Sequence, residues 1–517
     1  MAQNLQRWLG GTSDQPWWDV FNLEAPDPRR RFGGRVPWWS VDTLFARFFR
    51  PVAAATHLLD YRLWPSSPIA MHAQSILWFG ALVLAVVRFF RTLLPGRVAL
   101  AAGAVYATSY VHAVPVGWLS ARNAVIAGCF GFLACTAYVR WRQQEAKAFS
   151  WAPAFLVLSV LSAESGVSVL AFVAAYELTV GRDRPAGRWG RLGAMVATVG
   201  LWRLAYSAAG FGAMGSGGYI DPMRSPGIFL QEAPARFGSL LAFLLSPFRI
   251  LVAHGVSLPV AVAFGCLFLA AAAVVVRTAV RRELRLWSAS AFLCLLPLVA
   301  AAPGERLLTF AMAGLSPVIA TVLLRYQESS KPGRAGVVIV GLTFCLVSPA
   351  VLFAGSYDQS YDLRTVDRTL PTMAGISSDD ARGKNLFILH SPGQAPVNTM
   401  RAARGRAGLV MPAFTWNLFP SDSPANITRV GCCAIELDHN DGLSRGPLVV
   451  FFRGLDSPMQ VGDTVKTLAF SAEVLAVNPR GVPTRVLFTL PEPLESPRNL
   501  FVSWNGEDFE RVPVEEL

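Results

Sequence analysis

FRPVAAATHLLDYRLWP (49–65), SPIAMHAQSILWFGALVLAVV (67–87), TSYVHAVPVGWLSARNAVIAG (108–128) and LSAESGVSVLAFVAAYEL (161–178) decide how this chain is read. Apolar runs long enough to cross a bilayer alternate with short caps that hold Arg, His, Asp and Glu. An ionisable side chain at membrane depth is costly, so a recurring set of them marks a functional site by default. Working outward, further apolar runs give membrane helices over 69–90, 98–117, 123–140, 151–164, 166–181, 192–209, 257–276, 286–302, 306–325 and 336–355, about ten in all. Clusters of basic residues, such as Arg182, Arg184, Arg188 and Arg191, mark the cytoplasmic loops. The run 151–181 is read as a hairpin turning at Ala163-Glu164-Ser165, and 237–252 as an interfacial or re-entrant segment.

Composition agrees. The 517 residues are 53% hydrophobic and only 15% charged, where a soluble domain carries about 25%. Charge is divided unevenly: residues 358–517 hold 15 Lys and Arg against 19 Asp and Glu, and the rest hold 31 against 15. The positive excess belongs to the membrane part, and no basic face or RNA-binding motif accompanies it, so nucleic acid is excluded as a partner. Residues 358–517 alternate β-branched and aromatic residues between turns: NLFILH (385–390), ITRVGCCAIELD (427–438), PLVVFFR (447–453), VKTLAFSAEVLAV (465–477), TRVLFTL (484–490) and NLFVSW (499–504). The expected architecture is therefore a polytopic α-helical membrane protein with a C-terminal all-β domain outside the membrane. Its divisions are an outer-face segment over 1–68, a helical domain over 69–355 and a β-rich domain over 356–517. Of the seven cysteines, five sit in apolar runs; Cys432 and Cys433 are adjacent, with side chains on opposite faces if the segment is a strand. No metal-ligand or redox spacing is present, and no metal is expected.

Within the caps, Pro51 can open a helix and hold Arg50 at its start, where a guanidinium suits a phosphate or snorkels to the interface. Trp17-Trp18 and Trp38-Trp39 read as interfacial anchors. His112 and Arg122 bracket a tight turn that could form an anion pocket. Glu164 tips the short hairpin, Arg203 ends its span near the outer face, and Arg306 follows Gly304-Glu305. A pair between Glu164 and Arg306 would be structural or catalytic. Glu177 lies nearer the cytoplasm and reads as structural.

The blocks RPV…LDYRLW…H, VHAVPVGWLSARN and LSAESGVSVL…YEL, in that order over roughly 45–180, resemble the membrane region of GT-C-type glycosyltransferases. They look most like the O-mannosyltransferases that carry tetratricopeptide repeats, and like their bacterial relatives. The resemblance implies transfer of a sugar from a polyprenyl-phosphate carrier to a protein or glycan acceptor at the outer face of a bacterial inner membrane, with no further cofactor. It implies phosphate binding by Arg50, His112, Arg122, Arg203 and Arg306, with Glu164 or an acid of the first outer loop as catalytic base. The family sets an acidic pair just after a first membrane helix. That helix is missing ahead of this loop, and of its acids Asp14, Asp19 and Asp42 none stands next to another acid in sequence. The resemblance thus implies either a further helix upstream or a chain without that acid, with Asp19 and Asp42 as the remaining candidates. Ala163 stands where the family has Lys. Two other readings compete: a non-catalytic scaffold presenting the β-domain, and a transporter of a lipid-linked anion.

Overall fold

The computed structural model describes residues 16–24, 36–143, 151–181, 188–246, 282–325, 331–355, 375–391, 404, 407–421, 425–443, 450–454, 457–505 and 509–517. It forms two compact units. One takes Met1–Asn22, Phe48–Phe211 and Leu230–Gln359, and the other Leu23–Arg47, Gly212–Phe229 and Ser360–Leu517.

The first unit is helical. Pro51 does begin a helix, α1 (Pro51–Leu63), and Ser67 caps α2 (Pro68–Arg91) with Pro68 at its first position. There follow α3 (Gly96–Ala107), α4 (Ala113–Gly117), α5 (Arg122–Arg142), α6 (Trp151–Val160), α7 (Val169–Thr179) and α8 (Arg188–Ala208). The last of the series are α9 (Pro226–Leu245), α10 (Arg282–Leu298), α11 (Thr309–Leu324) and α12 (Lys331–Leu342), the last continued through a π turn at Thr343–Val347. α2 packs along α5 and α3, α5 on α6, and α10 on α7 and α11. Aromatic rings fill the interior: Phe132 lies 5.9 Å from Phe89 and 5.3 Å from Phe310, and Phe90 meets Trp287 at 5.3 Å. Helices approach closely where a residue has no side chain. A Cβ on Gly314 would fall 2.5 Å from the backbone nitrogen of Ala291, so α11 and α10 touch main chain to main chain there.

The outer faces of these helices are apolar: Ile69 is 84% exposed and Leu77 73%. Among the described residues, α2, Leu119–Arg142, α9 and Gly333–Gly355 are long and apolar enough to cross a membrane. The bent pair Gly96–Ala107 and Tyr110–Gly117 makes a fifth span if counted as one. This is the surface of a membrane protein. The run 237–252, expected as an interfacial or re-entrant segment, is helical over its part within α9, whose 20 residues are also long enough for a span. Between α6 and α7 the chain does break, at a 3-10 turn over Glu164–Ser168. The expected span 257–276 lies outside the described residues.

The second unit is rich in sheet, but the sheet is not all antiparallel. β1 (Asn22–Glu24), β2 (Phe45–Arg47) and β3 (Gly212–Met214) make a small three-stranded sheet in that order. β4 (Asn385–His390) runs parallel to both β5 (Phe414–Asn417) and β11 (Asn499–Trp504), and β12 (Phe509–Arg511) closes that sheet antiparallel to β11. β6 (Asn426–Val430), β7 (Ala434–Asp438), β8 (Thr464–Lys466), β9 (Ser471–Val477) and β10 (Pro483–Thr489) form an antiparallel sheet in the order β6-β7-β10-β9-β8. The two larger sheets share one core, to which the first gives Phe387, Leu389 and Trp416 and the second Ile435, Val474, Val486 and Phe488. That is sandwich packing.

Three expectations change here. Trp38 and Trp39 are not interfacial anchors. Both lie in this core, fully buried, with Trp38 edge-on to Phe488 at 5.4 Å and its Nε1 donating to the Leu418 carbonyl at 2.8 Å. The single strand read over 427–438 is a hairpin, and Cys432 and Cys433 occupy its turn. Residues 450–451, expected in a strand, are helical. Replacing Trp38 by Ala removes a ring from this core and should cost about 3–5 kcal/mol. Limited proteolysis of the whole chain is the check: Trp38→Ala should speed cleavage within 375–517, and an unchanged rate would contradict the packing role.

Candidate functional site

Local chemistry sets up the site. Pro51 fixes the start of α1, and Arg50 immediately precedes it. The Val52 N–H donates to the Leu161 carbonyl at 3.2 Å, tying the start of α1 to the loop before the 3-10 turn. That turn lies tightly on the end of α6, because a Cβ on Gly166 would meet the Ser159 carbonyl carbon at 2.7 Å. Together these set Arg50 opposite Glu164. Arg50 Nη2 and Nε both donate to Glu164 Oε2, at 2.5 and 2.8 Å, and Tyr206 Oη of α8 donates to Oε1 at 3.2 Å. The Arg50 guanidinium carbon also stands 4.5 Å from the Phe48 ring centre and 5.3 Å from that of Phe21, and Arg203 lies 5.5 Å from the Tyr206 ring. One guanidinium thus holds the carboxylate, and a second stands by the tyrosine that also donates to it. The pair stays accessible, with the Glu164 side chain 28% exposed and that of Arg50 14%.

Arg122 and His112 behave differently, and both corrections concern the expected anion pocket. The Arg122 side chain is fully buried and donates four hydrogen bonds. Nη1 donates to Asp60 Oδ2 at 2.6 Å and to Gln74 Oε1, Nε to Ser75 Oγ at 2.8 Å, and Nη2 to the Met71 carbonyl at 2.6 Å. A guanidinium inside an apolar unit needs such partners, because an unpaired buried charge is strongly unfavourable. It therefore holds α5, α1 and α2 together and presents no surface to a phosphate. His112 is also fully buried, its ring 4.6 Å from Tyr106 and 4.9 Å from Phe79. Neither ring nitrogen finds a partner among the described residues. Beside the Arg122 pair, burial and then the charge of Arg122 hold His57 down to about 3, so its contact of 3.9 Å with Asp60 is that of a neutral ring. Burial pushes the Asp60 carboxyl above its ordinary value even with Arg122 alongside.

Asp19 is buried, on a segment whose neighbours Val20 and Phe21 pack on α1, and so is not an exposed acid. Asp42 is exposed and belongs to the sheet-rich unit. Arg306 is half-buried in the 3-10 turn Glu305–Leu307, which packs on residues 110–117, and the partner of Glu164 is Arg50 instead. Sequence reasoning missed Tyr206, and it missed Asp60, Gln74 and Ser75 as partners of Arg122. The polar Gln74-Ser75 step inside an otherwise apolar helix was the available signal. Glu177 is structural as read. It is buried, takes Arg142 Nε at 2.7 Å and Arg188 Nε at 3.3 Å, and accepts from Tyr138 Oη at 2.7 Å.

No known protein family matches the chain, and no curated protein does. Among solved structures it is similar to the oligosaccharyltransferase of Archaeoglobus fulgidus in the apo form, at 12% identity and a TM-score of 0.41, over 80% of this chain and 60% of that one. It is similar to the same organism's AglB with an inhibitory peptide and a dolichol-phosphate, at 12% identity and a TM-score of 0.39, again over 80% and 60%. The form tethered to an acceptor peptide gives 13% and 0.36 over 77% and 61%. The chain thus spans about 60% of the length of these structures, and at such values no residue role passes from them.

Arg122→Ala strands Asp60 in the interior and should cost about 3–5 kcal/mol. Thermal unfolding in detergent should show a large loss for Arg122→Ala and a smaller one for Arg122→Ala combined with Asp60→Ala. Equal losses in the two proteins would mean that the pair is not coupled.

Proposed function

We propose that the chain is a membrane glycosyltransferase of GT-C type. It would move a sugar from a polyprenyl-phosphate carrier to a protein or glycan acceptor at the outer face of a bacterial inner membrane, with the sheet-rich unit outside the membrane. The observation that carries this reading is the accessible Arg50–Glu164–Tyr206 cluster, with Arg203 beside Tyr206, where the Asp60–Arg122 and Glu177–Arg142 pairs of the same unit are buried. A lipid-linked phosphate travels within the bilayer, and an accessible guanidinium at a helix start suits its headgroup. The resemblance of residues 45–180 to GT-C enzymes supports the same chemistry.

In this mechanism Arg50 exchanges partners. With the donor absent it is held by Glu164; with the donor bound, the phosphate takes the guanidinium, helped by Arg203. Glu164 is then released to accept the proton of the acceptor as that group attacks the anomeric carbon, with Tyr206 steadying the second carboxylate oxygen. The bond from the anomeric carbon to the phosphate oxygen breaks, and the arginines neutralise the charge that develops on the leaving phosphate. Configuration inverts at the sugar.

The test is transfer of labelled sugar from a polyprenyl-phosphate donor in membranes carrying each variant. Glu164→Gln and Arg50→Ala should each lower transfer by about 10²–10⁴-fold, the range of general-base and charge-stabilising groups, with protein levels in the membrane unchanged. Full transfer in both variants would sink the enzymatic reading and favour the scaffold.

A further inference from the structure

We propose that Cys432 and Cys433 form a thiol–disulfide exchange site at the tip of the β6–β7 hairpin, reacting with organic disulfides to close a ring between adjacent residues. The other described cysteines do not offer this chemistry: Cys129, Cys135 and Cys294 are buried, and Cys345 lies on an apolar helix. Cys432 is exposed and Cys433 partly so, and the pair occupies a tight turn that follows Gly431 at φ +72°. A hydrogen bond from Cys432 is the main cause that holds the Cys433 thiol above its ordinary range, which places the two sulfurs side by side. Cys432 is the accessible attacking group, and Cys433 waits beside it as the resolving group, an arrangement suited to reversible oxidation.

The backbone fixes the tip. The Cys432 carbonyl accepts from the Leu494 N–H at 2.9 Å and the Cys433 carbonyl from the Leu490 N–H at 2.8 Å. Arg429 donates to the Gly431 carbonyl at 2.9 Å and pairs with Glu495. In the first step the Cys432 thiolate attacks one sulfur of the disulfide, forming a mixed disulfide and expelling a thiolate. In the second, Cys433 attacks the Cys432 sulfur, and the second thiolate leaves. Two protein thiols lose two electrons, the organic disulfide gains them as two thiols, and the two thiol protons pass to the leaving thiolates. Adjacent Cα atoms stand about 3.8 Å apart across a trans peptide, below the usual disulfide range of about 4.4–6.8 Å, so the ring is strained and readily reduced. Strained, exposed disulfides are the labile ones, which makes this a reversible site and not a structural staple.

The experiment treats the full chain in detergent with oxidised glutathione, then quenches, digests and weighs the peptides. The peptide that carries both cysteines should lose the mass of two hydrogens, and dithiothreitol should restore it. Cys433→Ser should stop at a persistent glutathione adduct on Cys432, and Cys432→Ser should lose most of the reaction. Phenylarsine oxide, which bridges paired thiols, should protect both cysteines of the unaltered protein from alkylation. Glutathione adducts on either cysteine without ring closure, or dimers linked through Cys432, would overturn the proposal, as would failure of the arsenical to protect.

Discussion

The buried pair of Asp60 and Arg122 is the interaction on which the helical unit depends. Arg122 opens α5, Asp60 lies in the last turns of α1, and Gln74 and Ser75 belong to α2, so one guanidinium joins three helices. Two charges cannot leave water without close mutual compensation, and here the geometry supplies it: the ion pair plus donors spent on a carbonyl and a hydroxyl. The consequence reaches the far end of α1. That helix is pinned at Asp60 by Arg122 and at its start by the Val52–Leu161 hydrogen bond, so the position of Arg50 follows from both. Arg122 therefore forms no anion pocket of its own, and it bears on Arg50 by fixing the helix that Arg50 precedes.

Much of this was legible because local chemistry decides it. Pro51 after Arg50 marks a helix start wherever the helix packs, and the Ala163-Glu164-Ser165 step marks a break in an apolar run. Burial was not legible. Arg122 and His112 carry the same local signature as Arg50, a polar residue at the edge of an apolar stretch. Only the packing of α1 and α2 distinguishes a cation closed in by Asp60 from one left accessible. The sheet-rich unit shows a similar limit. Alternation found β4, β10 and β11 closely, because period-two patterning is a local property. It did not show that 23–47 and 212–229 join that unit, since the evidence lies in pairings across long separations, such as Phe45 with Met214. Trp38 and Trp39 were read as membrane anchors because an aromatic pair beside apolar helices looks the same whether a bilayer or a sandwich core receives it.

α5 gives a physical scale. Its 21 residues run roughly 30 Å at about 1.5 Å per residue, close to the hydrocarbon thickness of a bilayer. Arg122 stands at one end, and Tyr138 and Arg142 in the last turns at the other, each bound into a buried cluster with an acid from another helix. The apolar length between them agrees with a span whose charged ends sit at the two edges of the membrane.

Against those two closed clusters, the Arg50–Glu164 pair differs in kind. Glu177 is held by two arginines and a tyrosine and is buried. Asp60 is held by Arg122 and is buried. Glu164 also has an arginine and a tyrosine, but more than a quarter of its side chain meets the surroundings. An ion pair shielded from any ligand can only stabilise the fold, and replacing it with apolar groups of matching shape would often serve as well. A pair that a ligand can reach is weaker as a brace, because outside charges compete for each partner. Such competition is the condition for an arginine to trade a carboxylate for a phosphate. Unlike the Asp60 and Glu177 clusters, this one combines a cation, a base and access, and that distinction rests on burial and not on residue type.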